Sequence, residues 1–188
     1  MAFDIEQASS HLNNLFPSPL SGHVNIYITD PTKGKELEFR NIVRVLQFSN
    51  LAELDLVSQG ALNAHVAAGH NFYYCCGLMD HTGKRKKENA VGFHFLWADK
   101  DDIDEAQLTK LVDGCPVAPS AVVKSGGGYH FFWSLNRFHN LEEYKEIEKA
   151  NKVVCGWVKG DTVADIARVF RLPGAPNNKP WKYQGPLP

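Results

Sequence analysis

The sequence predicts a mixed α/β (α+β) domain, and three observations carry that prediction. Apolar residues make up 44% of the 188, enough for a sizeable buried core at this length. Stretches with alternating and with helical periodicity succeed one another without an internal repeat or a low-complexity linker. Residues 91–158 run in the order strand, helix, strand, strand, helix, which lies close to a split βαβ unit.

Taken in order, residues 4–15 read as a short helix ended by "FPSP", and "HVNIYITD" alternates as a strand before the turn "PTKGK". A second strand is expected around Leu37 and Phe39. "NLAELDLVSQGALNAHVAAG" has helical periodicity and a terminal Gly69, and "NFYYCCGL" reads as a buried strand. A basic run follows, and then the strand "VGFHFLWADKD". On it, period two puts Phe93, Phe95, Trp97, Asp99 and Asp101 on one face. Residues 103–113 form an acidic-headed helix. "SAVVKS" and "YHFFWSL" are strands joined by glycines, and "NLEEYKEIEKANKVVCGWV" is a further helix. In "GDTVADIARVFRLPGAPNNK", Pro173 stops any helix at Leu172.

The net charge of -1 gives no overall reason to expect a polyanionic partner, but its distribution does. Residues 88–113 hold seven acidic against two basic residues, whereas residues 151–188 hold six basic against two acidic. Lys84, Arg85, Lys86 and Lys87 add a basic run. An acidic centre between basic segments suits a polyanion held beside metal ions. Solvated loops are the plain alternative for the basic run alone. The N-terminal residues have neither a basic n-region nor an apolar h-region, and no apolar run approaches a membrane span, so a cytoplasmic protein without a membrane partner is expected. Four cysteines, two of them adjacent, make a poor disulfide framework, so reduced thiols are expected.

Three stretches carry candidate chemistry. Asp99 and Asp101, two carboxylates ending one strand face, offer hard oxygen ligands to a divalent ion. The competing use of acidic side chains, helix capping, accounts for Asp102, Asp104 and Glu105 better than for Asp99, which still lies in the strand. In "KSGGGYHFFWSL" the glycines turn one strand into the next, so Ser125 and His130 emerge together at the mouth of the hairpin. There, backbone N–H groups, a hydroxyl and an imidazole can grip phosphate. Taken alone, the stretch is better read as an ordinary glycine hairpin with an exposed histidine. In "ADIARVFRLPG", Asp165 and Arg168 have the spacing of an i, i+3 ion pair, which leaves Arg171 unexplained.

In this order and spacing, "LWADKD", "SGGGYH" and "ADIARVFRLPG" resemble the archaeo-eukaryotic primase superfamily, in particular the primase-polymerase catalytic domains of plasmid, phage and mobile-element replication proteins. "NFYYCCG" with the basic loop resembles the strand and loop that precede the first motif in that family. The resemblance covers roughly residues 60–180 and implies an archaeo-eukaryotic primase fold. That fold has an RRM-like catalytic half, about residues 71–180, and an N-terminal α/β part, about residues 1–70. It implies template-directed nucleotidyl transfer to a 3′-hydroxyl with two Mg²⁺ or Mn²⁺ ions as cofactors. Asp99, Asp101 and Asp165 would ligate the metal, with Asp161 as the alternative third ligand. Ser125, His130 and Arg171, and less directly Arg168 and Lys124, would bind the triphosphate of an NTP or dNTP. Lys84, Arg85, Lys86 and Lys87 would meet phosphates of a single-stranded or primed DNA template. A single catalytic domain is expected, part of a longer replication protein with downstream helical and helicase domains.

Two other classes stay open on the sequence. A rolling-circle nuclease needs two histidines around one apolar residue, and "GFHFLW" has His94 alone. A non-catalytic or degenerate nucleic-acid-binding domain is disfavoured by the three carboxylates and the histidine. Zinc is not expected at His65, His70, Cys75, Cys76, His81, Cys115 and Cys155, because no C-x-x-C pair is present and adjacent strand residues point to opposite faces.

Overall fold

The structure, a computed structural model, describes residues 2–34, 38–161 and 163–178. Helix α1 (Ile5–Leu15) starts where the Asp4 side chain accepts from the Gln7 N–H, and it buries Ala8, Leu12 and Leu15 along one stripe. Strands β1 (Val24–Thr29) and β2 (Ile42–Phe48) pair antiparallel. The strand expected around Leu37 and Phe39 lies later in the chain. Leu37 falls outside the described residues, and Phe39 sits in a 3-10 turn, Glu38–Arg40. The Glu38 carboxylate is drawn into the protein there, where it accepts from Thr29 Oγ1, Asn71 Nδ2 and Tyr73 Oη at 2.7, 2.9 and 2.9 Å. The helix expected over residues 50–69 is also divided. A 3-10 segment, Leu51–Leu56, precedes α2 (Gln59–Ala67), and Val57 is extended between them because Ser58 caps the new helix through the Ala61 N–H.

The expected strand over residues 71–78 is two strands in different sheets. β3 (Asn71–Cys75) pairs with β1, and β4 (Leu78–Met79) pairs with β5 (Ala90–Asp101). The chain crosses between sheets at Cys76 and Gly77, where a side chain at Gly77 would run into the Phe93 ring at 2.8 Å. Then follow α3 (Glu105–Asp113), β6 (Ala121–Lys124), β7 (Gly128–Asn140), α4 (Tyr144–Trp157) and β8 (Val169–Arg171). Among the described residues of 160–172 none is helical. They turn at Ile166 and Ala167 and end in β8, which pairs with β3.

Among the described residues the strands form two antiparallel sheets, ordered β2-β1-β3-β8 and β4-β5-β7-β6. The second carries the expected strand, helix, strand, strand, helix unit. The first takes β3 and β8 from the stretch that the sequence assigned to the catalytic half. One face of the second sheet receives α4, with Trp133 edge-on to Trp157 at 6.0 Å between ring centroids. Its other face, Phe95 and Phe132, meets Phe16 and Phe170, so a single aromatic core lies between the sheets. No helix among the described residues is long and apolar enough to cross a membrane.

Candidate active site

The site is built on the β5–β7 pairing. Asp99 lies opposite His130 and Asp101 opposite Gly128, so the alternation that buries Phe95 and Trp97 carries both carboxylates onto the face that bears the histidine. His130 Nε2 lies 3.8 Å from Asp99 Oδ1. The imidazole is almost wholly buried, and about a fifth of the Asp99 side chain is exposed. Phe170 of β8 covers the imidazole, with centroids 4.3 Å apart.

The hairpin closes tightly. The Ser125 N–H donates to the Gly128 carbonyl at 2.8 Å, and Gly126 turns with φ 83°. A side chain at Gly128 would meet the Lys100 carbonyl at 2.1 Å, so only glycine lets the hairpin press against β5 there. Register places Val123 opposite His130. Ser125, two residues on, therefore emerges on the same face as His130 and Asp99. Lys124 alternates to the other side, where its ammonium lies 3.5 Å from Glu105 of α3 in an exposed pair.

β4 is too short to cover β5 as far as Asp99, and α4 with the segment after it covers that edge instead. The Trp97 N–H donates to Asn151 Oδ1 at 2.9 Å, the Trp97 indole donates to the Val163 carbonyl at 2.8 Å, and the Asp161 N–H donates to the Asp99 carbonyl at 2.8 Å. Gly160 permits this approach, since a side chain there would meet the Asp99 carbonyl at 2.3 Å. Asp165 follows in the same segment, half exposed, with Oδ2 2.8 Å from Arg168 Nη2. The i, i+3 pair anticipated from the sequence is thus made across a turn rather than along a helix. Burial raises the Cys76 thiol well above its ordinary range. Cys75, Asp165 and Asp99 add to the shift while Arg168 opposes it, which sets both aspartates within electrostatic reach of one buried sulfur.

Arg171 alternates away from Phe170 to the outer face of the first sheet. Its guanidinium donates to Asn71 Oδ1 at 3.1 Å and Tyr73 Oη at 3.2 Å, beside the buried Glu38. Of the basic run, Arg85 donates to the Ala167 carbonyl at 3.2 Å and covers the Phe39 ring, and Lys87 lies 2.6 Å from Glu148. Lys86 pairs with Glu88 in the open, and Lys84 is exposed.

Asp99, Asp101 and Asp165 are chemically suited to Mg²⁺ or Mn²⁺. They do not converge, however: among the described residues no three histidine, cysteine, aspartate or glutamate side chains are grouped closely enough to hold an ion, and the Asp165 carboxylate is turned onto Arg168. Three contributors went unread in the sequence: Phe170 over the imidazole, Asn151 on the β5 edge, and Gly160 under the Asp161 loop. A fully buried asparagine inside the apolar stripe of α4 is the signal that marks Asn151.

A groove of about 1320 Å³ runs between α1, α2 and β6. Lys124, Ser125, Gly126 and Arg171 line it, and the three carboxylates do not.

Among solved structures, the AEP domain of the cyanophage S-2L primase-polymerase superposes with a TM-score of 0.69 at 18% identity, covering 95% of this chain and 86% of that one. Primase RepB′ gives 0.62 at 17%, covering 93% and 51%. The RepB′ catalytic domain in complex with initiator DNA gives 0.63 at 17%, covering 95% and 80%. No curated protein matches in sequence. These likenesses establish an archaeo-eukaryotic primase fold. The profile of the RepB DNA-primase N-terminal domain matches residues 49–186, a span that takes in β5, the glycine hairpin and the Asp165 turn. With that match extending over well more than half of its length, the chain belongs to the RepB DNA-primase N-terminal domain family.

Proposed function

We propose that this domain is a template-directed nucleotidyltransferase that adds nucleotides to a 3′-hydroxyl on DNA. The observation that carries the reading is Asp99 facing His130 across β5 and β7, with Ser125 on the same face at the hairpin mouth. Asp99, Asp101 and Asp165 are the residues that would hold two Mg²⁺ or Mn²⁺ ions. Such ions, when bound, lower the pKa of an attacking hydroxyl and stabilise a leaving pyrophosphate. The chain's own part is binding and orientation. The Ser125 hydroxyl and the hairpin N–H groups receive phosphate, and His130 donates to it from a ring held between Asp99 and Phe170. Arg168, which lies beside Asp165, would contact phosphate next to an ion held by that carboxylate. Arg171 and Lys124, which line the adjoining groove, contribute charge from its walls, and the run of residues 84–87 meets template phosphates.

The test is incorporation of labelled NTP or dNTP on a primed template with Mg²⁺ or Mn²⁺. Asp99→Asn and Asp101→Asn keep the volume of each side chain and remove its charge. Each should lower incorporation by roughly two orders of magnitude or more. Wild-type rates in the double variant would refute the assignment. The separation of Asp165 from the other carboxylates favours a second reading, a DNA-binding domain without catalysis. DNA binding with no incorporation by the wild type under either ion would establish it.

A further inference from the structure

We propose that Asn151 of α4 is a positioning residue: its side-chain amide sets how closely the segment that carries Asp165 lies to β5, the strand that carries Asp99 and Asp101. The inference rests on the carboxylate assignment made above and adds the residue that spaces its two halves. An asparagine at this place is not explained by packing. The buried residues of α4 are Ile147, Asn151, Val154 and Cys155, one stripe at helical spacing, and Asn151 has none of its surface exposed. A polar amide in such a stripe destabilises the fold unless its donors and its acceptor find partners.

The partners come from two different segments. Asn151 Oδ1 accepts the Trp97 N–H of β5 at 2.9 Å, and Asn151 Nδ2 lies 3.5 Å from the carbonyl of Ala164, the residue before Asp165. A side-chain amide carries the same kinds of donor and acceptor as a peptide unit. β4 pairs with β5 only at Ala90 and Gly92, so Asn151 stands where a longer β4 would have put a peptide group opposite Trp97. One amide thus spans the gap from β5 to the Asp165 segment. The neighbouring bonds fix other points of that segment. The Asp161 N–H on the Asp99 carbonyl and the Gly160 N–H on the Cys155 carbonyl, both at 2.8 Å, hold its start, and the Trp97 indole holds the Val163 carbonyl at 2.8 Å. After Asp165 the chain turns away, with the Cys76 N–H on the Arg168 carbonyl at 3.0 Å. Ala164, buried while the Asp165 side chain is half exposed, is therefore the last point tied toward β5 before the carboxylate. Trp97 precedes Asp99 by two residues on one strand, so the amide ties both carboxylate-bearing segments to α4. Groups that orient ligands in this way act on an ion without touching it.

The test is a double-mutant cycle read by Mn²⁺ binding to the whole chain, followed through the EPR signal of the free ion. Asn151→Ala removes both bonds and should weaken Mn²⁺ binding about tenfold, as loss of an outer-shell partner does. Asp165→Asn should weaken it by a similar factor. If Asn151 acts through Asp165, the double variant binds Mn²⁺ no more weakly than Asp165→Asn alone, whereas independent effects multiply to about a hundredfold. Val154→Ala is the control, because it loosens the same stripe of α4 without touching either bond. It should lower the melting temperature and leave Mn²⁺ affinity unchanged. Amide exchange supplies a readout without metal: the Trp97 N–H should exchange about tenfold faster in Asn151→Ala and at the wild-type rate in Val154→Ala. Asn151→Gln keeps the amide but carries it one methylene farther from the helix, and it takes the place of Asn151→Ala in the cycle if the alanine variant does not fold. Wild-type Mn²⁺ affinity in the Asn151 variant, multiplying effects, or an equal loss in Val154→Ala would overturn the proposal. No Mn²⁺ binding by the wild type overturns the carboxylate assignment and the positioning role with it. Effects that fail to multiply, with no nucleotide incorporation by the wild type, overturn the polymerase reading and leave Asn151 its role. Normal incorporation with multiplying effects overturns the role of Asn151 alone.

Discussion

Asp99 is constrained from two segments of chain. His130 faces it from β7, the Asp161 N–H holds its carbonyl, and Gly160 allows that loop to come so close. His130 is the more replaceable partner, because Phe170 and Phe132 keep the aromatic packing around it. His130→Ala should therefore leave the fold intact. It should weaken nucleotide binding by about tenfold, the size of one charge-assisted hydrogen bond, with little change in template affinity. Equal losses in the two titrations would make the histidine a support for the hairpin only. Glu38 is the opposite case. Its buried Oε1 accepts from Thr29, Asn71 and Tyr73, the last two of which also hold Arg171. Glu38→Ala strands three buried donors and should cost about 3 kcal/mol or more in urea unfolding. The sequence pointed to Asp99 because it ends an alternating apolar strand, and to His130 because it follows the three glycines of a hairpin. It did not disclose Glu38, because a carboxylate in a loop looks solvated until the fold supplies its donors.

At the scale of elements, the hairpin depends on what β7 cannot carry. A methyl group at Gly128 would lie 2.1 Å from the Lys100 carbonyl, a backbone atom with no freedom to rotate away. Gly128→Ala should part β7 from β5 beside Asp101. A loss of about 1–3 kcal/mol is expected, with nucleotide incorporation lost even where the protein stays folded. A variant with wild-type stability and activity would show that the hairpin tolerates displacement. In the second sheet β5 and β6 were legible from their alternation, β7 from the apolar run after the glycines, and α3 from a cap written in the sequence, the reciprocal bonds of Asp104 and Gln107. The first sheet was less so. β2 is an edge strand with Arg44 and Gln47 among its apolar residues and only Phe48 buried, so its alternation is weak. β3 and β4 read as one apolar run, since nothing local distinguishes a strand that changes sheets from one that continues. β8 was hidden because three residues pair only through β3, from nearly a hundred positions earlier.

Across the whole molecule, α1 joins the two sheets. His11 bonds Tyr74 of the first sheet and packs edge-on against Phe132 of the second, at 5.4 Å between centroids. Burial lowers its pKa from 6.5 to about 4, so the folded chain keeps the ring neutral at pH values where the unfolded chain protonates it. The sign follows: the unfolded state binds more protons between these two values, so stability is complete above about pH 6.5 and falls as the pH drops toward 4. The full loss from His11 is about 3 kcal/mol, of which about 2 kcal/mol is gone by about pH 5. Burial lowers His65 and His94 as well, which steepens the same trend. Asp80 and Glu143, held at about 2 by hydrogen bonds from Thr82 and Arg137 respectively, lose their contribution only below the ordinary carboxylate range, so the window from about pH 6.5 to 4.5 belongs to histidine. Urea unfolding midpoints should therefore decline from pH 7 to pH 5. His11→Gln keeps a hydrogen-bonding group for Tyr74 but removes the titration. It should be less stable than the wild type at pH 7, from lost ring packing, and have a visibly shallower decline. Parallel pH profiles for the two proteins would mean that protonation of His11 is tolerated at the junction of the sheets.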